Sequence, residues 1–167
     1  MERGCTPTLC ASTIPRFYVK LHEMKCVVDT NIINWLVKGF LTLEGLPSDA
    51  EFIATHVQID ELNKTPDSEL RDKLLQKFAI IINLVVPTES IVIGVSRLDR
   101  GKLSDGVLYS ALKADLDALE EKPNNKQDAL IAEGAIVNGY TLITADRHLA
   151  EVAKKQDCKV IYIQKQL

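Results

Sequence analysis

From Met24 onward the chain alternates short apolar runs with segments of helical period, the pattern of a parallel sheet covered on both faces by crossover helices. The alternation is plainest near the C-terminus. A helix runs from about Lys126 to Val137 with Gly139 as its stop, followed by a strand at Thr141–Thr144, a helix over Arg147–Gln156 and a strand at Lys159–Ile163. Upstream, Lys25–Asp29 reads as the first strand, because Cys26-Val27-Val28 is a continuous apolar run of the kind buried parallel strands show. Residues 31–38 follow as a helix ended by Gly39. Glu51–Thr55 suits a second strand and Val57–Asn63 a helix closed by Thr65-Pro66. Asp67 or Ser68 caps a further helix whose Leu70, Leu74, Phe78, Ile81 and Ile82 recur at spacings of three and four. Ile91–Val95 is the candidate third strand, and a helix around Val107–Leu119 precedes the break at Pro123-Asn124-Asn125. The expected architecture is a three-layer α/β/α domain.

At 167 residues, 46% of them hydrophobic, the chain can bury one core and is short for two. Residues 1–23 lack either period and read as a disordered appendage, with Met24 as the natural start and 24–167 as the folded domain. No apolar run approaches the roughly 18 to 20 residues of a spanning helix. Cys5, Cys10, Cys26 and Cys158 have no Cys-x-x-Cys spacing, which fits a reducing, cytoplasmic setting, with Cys26 and Cys158 as small core residues. A net charge of −3 argues against a grip on nucleic acid by bulk positive potential. It does not exclude a nuclease, since gathered carboxylates lower the total while the cations they bind reverse the local sign.

The acids at the element boundaries carry the chemistry. Asp29 and Asp146 each end an apolar strand and open a helix, so both belong at the carboxyl edge of the sheet, where open parallel sheets bind their ligands. Each alone is explained as a helix cap. Two caps side by side would crowd negative charge for no structural gain. Asp128, in the first turn of its helix, shares a stripe with Ala132, Ala135 and Ile136 and so faces the sheet. Glu61 lies with Val57 on one stripe of its helix and Asp60 with His56 on the next, and periodicity does not choose between the two acids.

Val27-Val28-Asp29-Thr30-Asn31, Thr55-His56-Val57-Gln58-Ile59-Asp60-Glu61-Leu62, Gln127-Asp128-Ala129-Leu130-Ile131-Ala132 and Thr144-Ala145-Asp146-Arg147 resemble, in order, the four acidic motifs of PIN-domain nucleases, most of all the VapC toxin ribonucleases. The resemblance covers Met24 to about Ile163. It implies a PIN-like domain whose catalytic acids are Asp29, Glu61, Asp128 and Asp146, thereby preferring Glu61 to Asp60, with Asn31 and Thr144 in support. It further implies hydrolysis of RNA phosphodiesters, with Asp29, Asp128 and Asp146 holding metal and Glu61 binding metal or orienting the attacking water. Partners implied are an RNA substrate and a cognate antitoxin. Oxygen ligands without a Cys or His cluster point to Mg²⁺ or Mn²⁺.

Arg147, Lys126 and Arg100, with Lys64, Arg97 and Lys102, are the candidate RNA contacts, sitting in loops and helix ends expected to face the acids' edge. His148 reads as a rim residue, His56 as a helix cap and Trp35 as core. The apolar helix around Leu74–Ile82 would serve core packing or a homodimer or antitoxin contact equally well. The competing reading is a PIN-like scaffold without catalysis. Phosphatases of the haloacid type want Asp-x-Asp where this chain has Asp29-Thr30-Asn31, and no Gly-x-Gly-x-x-Gly follows the first strand.

Overall fold

Cys26, Val28, Ala54 and Ile143 point to one side of a parallel sheet and Val27, Ile53 and Leu142 to the other, so alternate residues of the same strands build two separate cores. The computed structural model describes residues 24–164. The expected appendage at 1–23, with Cys5 and Cys10, lies outside the described residues. The strands are β1 (Met24–Val28), β2 (Ala50–Thr55), β3 (Leu84–Val86), β4 (Thr141–Thr144) and β5 (Val160–Tyr162), all parallel in the order β3-β2-β1-β4-β5. Strand order reverses between β1 and β4. That reversal opens a crevice outside their carboxyl ends.

On one face lie α1 (Thr30–Lys38) and α3 (Ser68–Ile81), which bury Ile32, Ile33 and Leu36 and Leu74, Phe78 and Ile81 against the sheet. The other face carries α4 (Val107–Leu119), α5 (Asn125–Val137) and α6 (Arg147–Lys155). Of these, α5 is buried nearly all round, because it lies between the sheet and the Leu112 and Leu116 side of α4. The short α2 (His56–Asn63) bridges the two cores through Val57 and Leu62. Trp35 and Cys158 are partly buried and Cys26 fully so, as expected of core residues. Among the described residues no helix is long and apolar enough to cross a membrane.

The third strand is not where the sequence pattern puts it. Ile91–Val95 is an irregular loop, with Gly94 in the left-handed region (φ 82°) and Ile93 96% exposed. The strand is Leu84–Val86, which starts where Asn83 clamps β2 by donating from its backbone N–H to the Phe52 carbonyl and accepting the Phe52 N–H at its side chain, both at 2.8 Å. Pro87 ends it. His56 does not cap α2 either. Thr55 does, its hydroxyl accepting the Val57 N–H while Gln58 accepts the Thr55 N–H, a reciprocal capping box.

Candidate active site

Because β1 and β4 are adjacent, the residues that follow them meet at the crevice. Asp29 occupies the position before α1 but makes no side-chain cap. Its carboxylate is instead buried, and Oδ2 accepts from the Thr144 hydroxyl at 2.7 Å and from Asn31 Nδ2 at 3.2 Å. The Thr144 oxygen in turn accepts the Asp146 N–H at 2.9 Å. One hydroxyl thus fixes both strand ends to each other.

Asp146 does cap its helix, Oδ1 accepting the N–H groups of His148 (2.7 Å) and Leu149 (3.1 Å). Oδ2 stays out of the cap and faces Lys122 Nζ at 3.6 Å. Asp128, one turn into α5 and 5% exposed, accepts from Asn124 Nδ2 at Oδ2 (3.2 Å). Glu61 accepts at Oε2 from the Thr30 hydroxyl (2.7 Å), the residue next to Asp29. A common pattern emerges. Asp29, Glu61 and Asp128 each commit one oxygen to a protein donor and leave the other without a hydrogen-bond partner among the described residues. Asp146 reserves its second oxygen for a cation.

The two neighbouring acids of α2 turn to different partners. Asp60 pairs with Arg97, which donates from Nε at 3.0 Å and from a second guanidinium nitrogen. Glu61 turns to Thr30 and the crevice.

The clustering is felt electrostatically. Burial pushes the Asp29 carboxyl up to about 6, the hydrogen bonds from Thr144 and Asn31 pulling back and the Glu61 and Asp146 charges adding to the rise. The Asp128 carboxyl is pushed up to about 8, by burial first and then by Asp29, Glu61 and Asp146, with Lys122 opposing. Against the charge of four acids, Lys122 is the one cationic side chain paired with any of them among the described residues. Among the described residues no three Asp, Glu, His or Cys side chains are drawn together tightly enough to cage an ion. The donor set, carboxylate oxygens with polar amides and hydroxyls behind them and no thiol or imidazole among them, fits a hard divalent ion with retained waters.

Of the candidate RNA contacts, Arg147 and Lys126 are exposed at the N-termini of α6 and α5, the ends that carry Asp146 and Asp128. Arg97 and Lys102 are structural partners of other acids, Arg97 of Asp60 and Lys102 of the buried Glu89 (2.8 Å). Arg100 is exposed and pairs with Asp99 at 3.6 Å, on the segment whose Arg97 N–H donates to His56 Nε2. His148 stands at the rim, its Nδ1 3.4 Å from Glu120. Sequence reasoning passed over Thr30, Asn124 and Lys122. Thr30 sits beside the first acid and Asn124 four residues before Asp128, a spacing that makes them helix neighbours, whereas nothing local marks Lys122.

No family model matches the chain, nor does any curated protein. Solved structures do. VapBC2 from Rickettsia felis, crystallised bound to a DNA fragment from their promoter, is similar with a TM-score of 0.54 at 17% identity, over 83% of this chain and 98% of that one. VapBC-5 from Mycobacterium tuberculosis, a member of the VapBC family of toxin-antitoxin systems, gives 0.50 at 18% identity over 83% and 98%. A domain of a functionally unknown protein from Methanocaldococcus jannaschii DSM 2661 gives 0.50 at 19% identity over 86% and 94%. At these identities the likeness is one of fold: the five-stranded parallel sheet between two helical layers is the architecture shared with these structures.

Proposed function

We propose that this PIN-like domain is a Mg²⁺- or Mn²⁺-dependent ribonuclease that hydrolyses RNA phosphodiesters, and that it acts as the toxin of a toxin-antitoxin pair. The observation that carries the reading is the state of the crevice acids: Asp29 and Asp128 are buried and raised by the neighbouring acid charges, and Asp29, Glu61 and Asp128 each hold one oxygen back from the protein's own hydrogen bonds. A scaffold without catalysis would gain nothing from that arrangement, whereas a cation site requires it. Asp29, Asp128 and Asp146 would hold the ion through those oxygens. Bound there, it would lower the pKa of a coordinated water and offset charge on the scissile phosphate.

The chain's own groups supply the rest. Thr144 and Asn31 fix Asp29, and Asn124 fixes Asp128, so the ligands are aimed before substrate arrives. Glu61, anchored at Oε2 by Thr30, would take a proton at Oε1 from a water as that water's oxygen bonds to phosphorus and the P–O3′ ester bond breaks. The departing 3′ oxygen would take a proton from solvent, and the phosphate would stay on the 5′ oxygen of the other product. Exposed Arg147 and Lys126 accept flanking phosphates at two helix N-termini, which themselves favour anions. The toxin assignment is supported by likeness to the VapBC structures, and an antitoxin partner comes with it.

The test is cleavage of a panel of structured RNAs by wild type and Asp29→Asn, with Mn²⁺ or Mg²⁺ and with chelator. Wild-type cleavage that needs the ion and is lost in the variant is expected. Activity that survives chelation or the substitution would overturn the mechanism. Unimpaired growth on induction of the active enzyme would count against the toxin role.

A further inference from the structure

A phosphodiester is an anion, and four carboxylates repel it. Even with one divalent ion bound, four ionised acids leave the crevice negative, so a strand docking there needs a further positive group on the chain. Among the described residues Lys122 is the only cationic side chain ion-paired to any of the four acids, with Nζ 3.6 Å from Asp146 Oδ2. It also lies 3.0 Å from Glu120 Oε2.

The position of Lys122 is built. It lies in the link between α4 and α5, and its carbonyl accepts the Asn125 N–H at 3.2 Å. Asn125, 3% exposed, ties the link down by donating from Nδ2 to the Glu120 carbonyl and to Asp117 Oδ1, each at 2.8 Å. Pro123 stiffens it further. The lysine backbone is thereby held while its side chain keeps its reach.

Lys122 also forms part of the wall of an open cavity of about 390 Å³ shared with Lys113, Asp117, Glu121, Pro123 and Lys126. Lys113 is matched there by Asp117, one helical turn on. Lys126 is exposed and has no ion pair among the described residues. Lys122 thus belongs both to the pair with Asp146 and to the wall of a cavity that also holds the exposed Lys126.

Resting on the nuclease reading, we propose that Lys122 is a substrate-binding residue. In the free protein its ammonium covers the open oxygen of Asp146; when a divalent ion occupies the acids it transfers to an RNA phosphate, directing the strand over the α4–α5 link toward Lys126. Lysine and metal thus compete for one carboxylate and cooperate on one strand.

Two measurements on Lys122→Gln, Lys122→Arg and Lys126→Gln test this: Mn²⁺ affinity without RNA, and the salt dependence of polyuridylate binding with Ca²⁺ present. Removing a charge that competes at contact distance should tighten Mn²⁺ binding of Lys122→Gln about fivefold. The same variant should bind polyuridylate more weakly, with a log–log salt slope shallower by about 0.7, the loss of one phosphate contact on a single strand. Lys122→Arg should keep the wild-type slope. Lys126→Gln should reduce the slope and leave Mn²⁺ binding alone. Unchanged or weaker Mn²⁺ binding by Lys122→Gln, or an unchanged slope, overturns this inference while leaving the nuclease reading intact. A wild-type protein that binds neither Mn²⁺ nor polyuridylate overturns both.

Discussion

Replacing Asp128 with Asn should stabilise the protein when divalent ions are withheld, and should do so far more at pH 8 than near pH 4. In the folded protein its carboxyl rises from an ordinary 3.8 to about 8 and that of Asp29 to about 6. A group whose proton is held more tightly in the folded state supports folding fully below its unfolded pKa and loses that support as pH climbs through the folded one. Metal-free wild type should therefore weaken steadily from about pH 4 to about pH 8. The rise at Asp128 spans about four decades of proton affinity at about 1.4 kcal/mol each, a ceiling of roughly 6 kcal/mol. Repulsion is shared with Asp29, Glu61 and Asp146, so the recovery from silencing one acid should be roughly 1 to 3 kcal/mol at pH 8. For a domain of this size that is a rise in Tm of about 3 to 10 °C. Thermal unfolding in EDTA across the pH range reads it directly. Adding Mn²⁺ should reverse the ranking, because the ion binds the native wild type and so stabilises it. An Asp128→Asn protein no more stable than wild type at pH 8 in EDTA, or more stable by the same margin at both ends of the range, would refute the electrostatic account of the crevice.

Thr144→Val should lower metal affinity and activity by about 10- to 100-fold with little change in fold, and Thr144→Ser should restore both, because the hydroxyl acts by aiming Asp29. Mn²⁺ titration beside RNA cleavage checks this. The two acids of α2 should separate cleanly in the same cleavage assay: Glu61→Gln should lose at least about 100-fold in kcat. Asp60→Asn should keep full activity and cost at most about 1 kcal/mol of stability, since its Arg97 partner is half exposed.

What was legible in the chain was what period and punctuation encode. Cys26-Val27-Val28 marks a central strand because both its faces are buried, and Gly39 and Gly139 mark helix ends because both take the left-handed conformation. Asp29, Asp128 and Asp146 were legible because each stands at an element end whose register is set by the apolar residues after it. Leu84–Val86 was not, since three half-exposed residues on a sheet edge carry no period, while Ile91, Ile93 and Val95 imitate one. Thr55 and Gln58 did carry a readable capping signature, which the more conspicuous His56 obscured. Arg97, Lys102 and Lys122 are alike as letters. Only the assembled fold turns the first two to Asp60 and Glu89 and the third to Asp146.

The hydrogen bond from Thr144 to Asp29 joins residues 115 positions apart. A chain emerging from the ribosome carries Asp29 and Glu61 early, but they face open solvent until β4 is made and slots beside β1. The crevice therefore cannot assemble before β4 is made, and products that stop short of Thr144 lack it altogether. On the proposed ribonuclease reading, that ordering would keep the acids apart until β4 has been made.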